Sequence, residues 1–331
     1  MDLVTTWACL IALAIILYVV LDGFSLGVAL LFPSTKTERE RDLLVSCIAP
    51  VWDMNQTWLV FGGGAIFVAF PLMYGVVFSA LYVPLLTFVF GLIFRGVTFE
   101  FRADATRKNP WNKAFFLGSL VAVVSQGLTL GGVISGISVE GDQFVGGPFD
   151  WLNPFSGMVG IALIAGYILL GSTYLIIKTT GVVQERAYRQ AFWSAWAVLG
   201  FMVAITVWTP LHYPSVLINW FSQPRVYFIW TFPLLGLVAF FGLIKSLRAR
   251  QEILPFACSV VFFLAGYLGL IASIYPYVVP PRLTFQEAAA QRETLSFSLW
   301  GALIVLPVVL AYIIYSYTVF RGKVDKEEHY Y

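Results

Sequence analysis

Two aspartates stand within long apolar stretches of this 331-residue sequence, where a charged side chain is costly. Asp22 lies in the stretch Thr5–Leu31, and Asp53 lies in the stretch Leu43–Phe61. Each acid is about 15 residues from the centre of the polar connection Pro33–Asp42, so two antiparallel helices of equal rise would bring both to one depth. An aspartate near the bilayer centre costs about 2.5–3.5 kcal/mol, which favours proton or ion handling. The alternative is a neutral aspartate that only hydrogen-bonds neighbouring helices together.

The second stretch concentrates polar side chains around Asp53. Asn55 and Gln56 follow it closely, and Gln56 shares its helix face at a spacing of three residues. Pro50 removes a backbone donor nearby and frees a carbonyl, as in a hydrated pocket. These residues, with Asp22, predict a proton path in which Asp53 is the more important acid.

Asp22 has a different neighbourhood, in which glycines predominate. Gly23 and Gly27 form a small-xxx-small pair, a pattern that allows another helix to approach closely. We therefore expect the surroundings of Asp22 to serve mainly helix packing.

The composition predicts an all-α integral membrane protein. Hydrophobic residues make up 59% of the chain and charged residues 11%, whereas a soluble domain has about 25% charged residues. No basic cluster with interleaved aromatics indicates nucleic acid, and the three cysteines are isolated from one another. The N-terminal apolar run is too long for a cleaved signal peptide, and it carries no basic residue in front. We expect residues 1–331 to form one transmembrane helical domain.

Runs of about 20 apolar residues predict nine spans, with eight as the alternative because the second and third are separated by only three residues. The predicted spans are Thr5–Leu31, Leu43–Val68, Leu72–Phe94, Ala114–Ile137, Pro154–Ile177, Ala191–Thr209, Val226–Ile244, Ile253–Val279 and Phe297–Phe320. With the N-terminus outside, 17 of the 20 Lys and Arg residues fall on cytoplasmic segments, leaving only Arg225, Arg282 and Arg292 outside. This asymmetry predicts an outer N-terminus and a cytoplasmic C-terminus. The outer segment Thr284–Arg292 could form a short surface helix.

Basic and acidic residues follow the third predicted span. Arg95, Glu100 and Arg102 are expected at the cytoplasmic end of its helix. They would either form an ion cluster that anchors the helix, or form a mouth that collects protons or docks a partner.

Histidine is scarce, which bears on haem and metal binding. His212 lies in a short outer loop and His329 lies in the charged tail, so neither is within a predicted span. A haem in the bundle normally needs His, Met, Cys or Tyr as an axial ligand. The methionines in apolar helices are better explained by packing. We expect this chain to ligate no haem or metal.

Several motifs together resemble subunit II of the cytochrome bd quinol oxidases. They occur in order over nearly the whole chain: DGFxxG at 22–27, APxWDxNQxW at 49–58, FR at 94–95, FEFR at 99–102, LNPF at 152–155, GSTY at 171–174 and YPYVVP at 275–280. The short chain and the short loop around His212 are more similar to the cyanide-insensitive branch. Ser25 and Val51 depart from the pattern, since many relatives carry a second aspartate and a histidine there. A proton path that used those two groups would have to be rerouted here.

The resemblance implies a complex in the bacterial cytoplasmic membrane that oxidises membrane quinol and reduces oxygen to water. Haem b and haem d would belong to a partner, subunit I, and this chain alone would not be catalytic. Asp22 and the region around Trp52, Asp53 and Trp58 would serve proton delivery from the cytoplasm or contact with a structural quinone. An additional small subunit and membrane lipid are further candidate partners.

Two other functions stay open from the residues alone. A proton-coupled transporter would also explain paired intramembrane acids, although transporters often contain paired repeats with broken helices, and no repeat is evident. A purely structural scaffold that stabilises a catalytic partner is the third possibility.

Overall fold

A computed structural model describes residues 2–212 and 220–324, and helices dominate it. The helices are α1 Leu3–Leu30, α2 Glu38–Ile48, α3 Trp52–Ala69, α4 Pro71–Ala80, α5 Tyr82–Ala103, α6 Lys108–Ser135, α7 Pro154–Lys178, α8 Gly181–His212, α9 Arg225–Arg248, α10 Leu254–Ile274 and α11 Arg292–Val319. In this part of the chain, eight helices are long and apolar enough to span a membrane, and the bent pair α3–α4 can supply a ninth. The predicted all-α membrane architecture is confirmed, whereas its orientation in the membrane stays a prediction.

The second and third predicted spans are both interrupted. Ala49–Val51 separates α2 from α3, because Pro50 lacks a backbone donor and disfavours helical geometry in the residue before it. The chain bends by 119° between α3 and α4, where Pro71 starts the new helix. The predicted span Leu72–Phe94 therefore divides between α4 and α5.

α5 also runs well beyond the predicted end of its span. It continues through Arg95 to Ala103, and α6 already begins at Lys108. The connection between these helices is therefore short. The predicted spans, which end at Phe94 and begin again at Ala114, had indicated a connection of roughly 20 residues. The prediction was wrong because it ended the span at the first charged residue, and Arg95 turns out to be neutralised inside the bundle.

Glycines hold α1 directly against α7. A Cβ atom added to Gly27 would lie 1.8 Å from the backbone oxygen of Tyr167, and one added to Gly171 would lie 2.5 Å from the backbone carbon of Gly27. Gly23 faces the Tyr167 ring, where an added Cβ atom would come within 2.7 Å. The close approach predicted from the small-xxx-small pair is therefore present, and its partner is α7.

Two short hairpins follow α6 and α10. β1 Val139–Glu140 pairs with β2 Gln143–Phe144, and β3 Tyr277–Val279 pairs with β4 Leu283–Thr284. The predicted surface helix over Thr284–Arg292 is not observed. Instead, Glu287 accepts hydrogen bonds from the backbone and the hydroxyl of Thr284, which closes a turn at the end of β4.

Candidate functional site

The centre of the bundle contains an ion pair that is wholly shielded from solvent. Arg95 Nη1 on α5 lies 2.8 Å from Oδ1 and 3.2 Å from Oδ2 of Asp22 on α1. Both side chains are 0% exposed. The expectation that Arg95 lies at a cytoplasmic mouth was therefore wrong, because its guanidinium points into the bundle toward a carboxylate 73 residues earlier.

Ser25 is the third member of this centre, and we call Asp22, Ser25 and Arg95 the buried triad. The Ser25 hydroxyl donates to Asp22 Oδ1 at 2.9 Å and accepts from Arg95 Nη2. Ser25 and Asp22 lie on one face of α1 at a spacing of three residues. An ion pair in low dielectric is stabilised when hydrogen bonds satisfy its remaining polar atoms, and Ser25 supplies two of them.

Aromatic rings cover the arginine. Trp52 stacks on Phe99 with ring centroids 4.6 Å apart and an angle of 9° between the planes. The Arg95 guanidinium carbon lies 5.9 Å from the centroid of Trp52 and 5.7 Å from that of Phe99, within the range of cation–π attraction. Gly96 leaves room for Trp52, because an added Cβ atom would lie only 3.3 Å from the indole. Trp52 thus packs over the triad.

Three polar atoms of the triad's surroundings have no hydrogen-bond partner among the described residues. They are the Tyr18 hydroxyl, Arg95 Nε and the Ser119 hydroxyl, all buried. Gly118, the neighbour of Ser119, packs against the backbone of Arg95. Buried polar groups of this kind are commonly satisfied by internal water. Neither Tyr18 nor Ser119 was identified from the sequence, because nothing in the local pattern distinguishes either from the other hydroxyl-bearing residues of α1 and α6.

Asn55 connects three helices at the level of Asp22. Its amide nitrogen donates to the backbone oxygen of Leu21 on α1 at 2.8 Å, and its oxygen accepts from the Tyr317 hydroxyl on α11 at 2.8 Å. The contact with Leu21 agrees with the shared depth predicted for the two apolar stretches. Tyr317 was not identified from the sequence, because it lies in the last helix and 262 residues from Asn55.

Asp53 is separated from this group. In the isolated chain its side chain is exposed, and it accepts a hydrogen bond from the backbone nitrogen of Met54. Positions 53 and 55 differ by about 200° around a helix, so Asn55 faces α1 while Asp53 faces away. The expected hydrated cluster of Asp53, Asn55 and Gln56 is therefore not assembled within the described chain. The Gln56 amide nitrogen and the Trp58 indole nitrogen are buried without partners.

A second, partly solvated ion cluster lies where α2 meets the end of α5 and the start of α6. Arg102 donates to Asp42 at 2.8 Å and to Asn112 at 2.7 Å. Lys108 donates to Asp42 at 3.1 Å, and Asn112 donates to both oxygens of Glu38 at 3.0 Å. Arg102 thus lies in a cluster, as predicted, but Glu100 is exposed on another face of α5.

Hydrogen bonds set the charge state of this cluster. Burial alone would raise the pKa of Asp42, but the hydrogen bonds from Lys108 and Arg102, together with the positive charges of these two residues, lower the pKa. Burial would likewise raise the pKa of Glu38, but the hydrogen bonds from Asn112 and Arg41, together with the charges of Arg41 and Arg102, lower it. Both carboxylates are therefore ionised near neutral pH and hold α2 against α5 and α6.

The comparisons with known proteins agree with the motifs. A family model described as cytochrome bd terminal oxidase subunit II matches residues 3–320. The chain belongs to this family. Cytochrome bd-I ubiquinol oxidase subunit 2 of Escherichia coli (strain K12) is 28% identical over 363 residues, which cover 97% of this chain and 95% of that protein. Cytochrome bd ubiquinol oxidase subunit 2 of Bacillus subtilis (strain 168) is 28% identical over 340 residues, 97% of each.

A solved structure supports the fold of this subunit II. The bd oxidase from Geobacillus thermodenitrificans contains a chain that matches with a TM-score of 0.77 at 18% identity, covering 97% of this chain and 100% of that one. Family membership makes the chain a multi-pass subunit of an oxidoreductase complex in the bacterial cytoplasmic membrane. The complex contains haem, and subunit II implies a subunit I.

Two of the candidate haem ligands of this subunit II have other surroundings in the structure. His212 is exposed as the last residue of α8, where its ring stacks on Trp208 with centroids 4.6 Å apart. His329 lies outside the described residues. Met54 packs in the apolar core. Within residues 2–212 and 220–324, no three His, Cys, Asp or Glu side chains group as metal ligands.

Proposed function

We propose that this chain is the haem-free subunit of a quinol oxidase, in which electrons from membrane quinol reduce oxygen to water. The relatives named as ubiquinol oxidase subunits support quinol as the electron donor. We assign haem b and haem d to subunit I, because His212 is exposed at the end of α8 and Met54 packs in the apolar core. A structural quinone near Trp52 and Trp58 and an additional small subunit are compatible with this assignment.

The contacts of the buried triad indicate different roles for Asp22 and Asp53. Both oxygens of Asp22 already accept hydrogen bonds, and the carboxylate faces the guanidinium of Arg95. An arriving proton would have to displace that fixed cation, which stays charged in proteins. We therefore assign Asp22 to positioning α1 against α5, and we assign proton transfer toward the haems to Asp53.

The exposed side of α3 supports this assignment of Asp53. Asp53, Val60 and Phe67 lie on one exposed side of the helix, and Gly64 between them has open space around its Cα atom. A carboxylate facing lipid at this depth would cost about 2.5–3.5 kcal/mol. Subunit I is the occupant that would cover Asp53 and accept its proton. Thr57 and the partly buried Gln56 lie beside Asp53 and would extend the path. Glu100 and the Arg102 cluster, where α2 meets the end of α5 and the start of α6, are the candidate entrance for protons.

Replacing Asp53 by asparagine tests this function. The variant keeps the size and hydrogen bonding of the side chain but cannot titrate, so we expect an assembled, haem-containing complex whose oxygen reduction is slowed several-fold. Oxygen consumption with a soluble quinol and proton uptake by reconstituted vesicles measure the effect. Glu293→Gln is the matched control, because it removes an exposed carboxylate from a helix of this chain at a position outside the proposed path.

The companion variant Asp53→Leu distinguishes a covered face from a lipid-facing one. If subunit I covers Asp53, leucine will lower the amount of subunit I that copurifies. If the face meets lipid, leucine will leave assembly unchanged or improve it. Wild-type turnover and proton uptake in Asp53→Asn would show that Asp53 carries no required proton.

Haem ligation by subunit I predicts that the histidines of this chain are dispensable for haem binding. We expect the double variant His212→Ala/His329→Ala to retain the haem content of the complex. Reduced-minus-oxidised spectra and pyridine haemochrome quantification would measure it. Loss of one haem band in the double variant, together with its return when His212 is restored, would contradict the assignment.

A further inference from the structure

An open groove of about 660 Å³ lies between α7 and α8, next to the end of α1. Ala165 and Ile168 on α7 and Ala197 on α8 supply its apolar lining, and Leu31, Ser34 and Ser194 also contribute to it. Arg186, Arg189 and Gln190 line its other end, and Trp193 lies between the two. The lining therefore changes from charged to apolar along the groove, just as a membrane lipid changes from its charged headgroup to its apolar acyl chain.

One face of α8 produces this gradient. Arg189, Trp193 and Ala197 follow one another at spacings of four residues, so they lie on one side of the helix. Arg189 and Ala197 are separated by about 12 Å along the axis. The helix has 32 residues, which makes it about 48 Å long and longer than the hydrocarbon core of about 30 Å. Arg189 is eight residues from its start, near the boundary of the hydrocarbon, and Trp193 is at the depth where interfacial tryptophans concentrate.

The charge at the polar end is positive and uncompensated. Arg186 is neutralised by Glu40, with nitrogen–oxygen distances of 2.8 and 3.2 Å. Glu185 is engaged by Arg250 at 2.9 Å. Among the described residues Arg189 has no ion-pair partner and is exposed. A guanidinium binds phosphate through parallel N–H donors, and the neighbouring Gln190 amide adds further donors.

We propose that this groove is a binding site for an anionic phospholipid, whose phosphate is held by Arg189 and Gln190 and whose acyl chain lies against Ala165, Ile168 and Ala197. Basic pockets between transmembrane helices are a recognised form of site for acidic headgroups. The small alanine side chains leave the space that an acyl chain fills. The assignment does not depend on the oxidase function.

Photocrosslinking in the whole complex tests the proposal. The complex is reconstituted in phosphatidylcholine vesicles that contain a small fraction of phosphatidylglycerol with a diazirine in its acyl chain. After irradiation, peptide mass spectrometry locates the label. We expect labelling of the walls of the groove, on α7 near Ile168 and on α8 near Ala197. A phosphatidylcholine probe with the same acyl chain should label these positions less.

Two variants and a matched control make the result decisive. Arg189→Gln should lower groove labelling by phosphatidylglycerol about fivefold, the factor for loss of one basic residue near an anionic headgroup. Arg248→Gln removes an exposed arginine from the end of α9, outside the groove, and should leave the labelling unchanged. Ala197→Trp should fill the groove and abolish labelling by both probes. Oxygen consumption confirms that each variant complex is assembled.

Three results would overturn the proposal. Equal labelling by the two probes would mean a groove that accepts any acyl chain without headgroup recognition. Labelling that is insensitive to Arg189→Gln would remove the phosphate contact. No labelling of the groove, with labelling elsewhere on the complex, would mean that another protein chain covers this surface.

Discussion

Replacing Arg95 by methionine will strongly destabilise the assembled complex, because it leaves the Asp22 carboxylate buried without its cation. Breaking a buried ion pair by removing one partner costs about 3–5 kcal/mol. Asp22 is 0% exposed and cannot turn toward water. We expect a low yield of complex and a lower apparent Tm, measured by size-exclusion chromatography after heating. Arg248→Met removes an exposed arginine and should leave both values unchanged.

A double variant separates the pair from its individual charges. Asp22→Leu/Arg95→Met removes both charges together, and replacing a buried pair by apolar residues is often neutral or stabilising. We therefore expect the double variant to recover most of the stability lost in Arg95→Met. If it also turns over at the wild-type rate, Asp22 is a positioning residue, as proposed. If Arg95→Met alone is as stable as the wild type, the pair does not hold α1 and α5 together.

The second large effect is expected at Gly27. In Gly27→Ala the new methyl carbon would lie 1.8 Å from the Tyr167 backbone oxygen, and a backbone atom cannot rotate away as a side chain can. α1 and α7 would have to separate, which places the cost at the upper end of the roughly 1–3 kcal/mol typical of overpacking, or above it. The same shift would displace Asp22, five residues earlier in α1, from Arg95. We expect little intact complex and a sharply lower Tm.

Gly200→Ala is the matched control for this change. Gly200 is an exposed residue within α8, and an added Cβ atom meets nothing within 4 Å. Alanine is favoured over glycine inside a helix by up to about 1 kcal/mol, so the control should be neutral or slightly stabilising. Equal stability of Gly27→Ala and Gly200→Ala would mean that the approach of α1 to α7 is not tight.

The sequence by itself determined the class of protein and much of its helical content. The length of an apolar run is a local property, and it fixes whether a helix can cross a membrane. The spacing of Gly23 and Gly27 is local too, so a close helix contact could be predicted, although its partner α7 could not. The ordered motifs pointed to the family that the family model then matched over residues 3–320.

The tertiary structure alone decided which polar residues meet. Asp22 and Arg95 are 73 residues apart, and the charge of Arg95 appeared to end a span because its partner could not be seen in the sequence. The side to which Asp53 points was likewise undetermined, since a two-residue offset from Asn55 places it on the opposite face of α3. A charge in the membrane is tolerated only with a partner, and partners are set by how helices pack, not by their order along the chain.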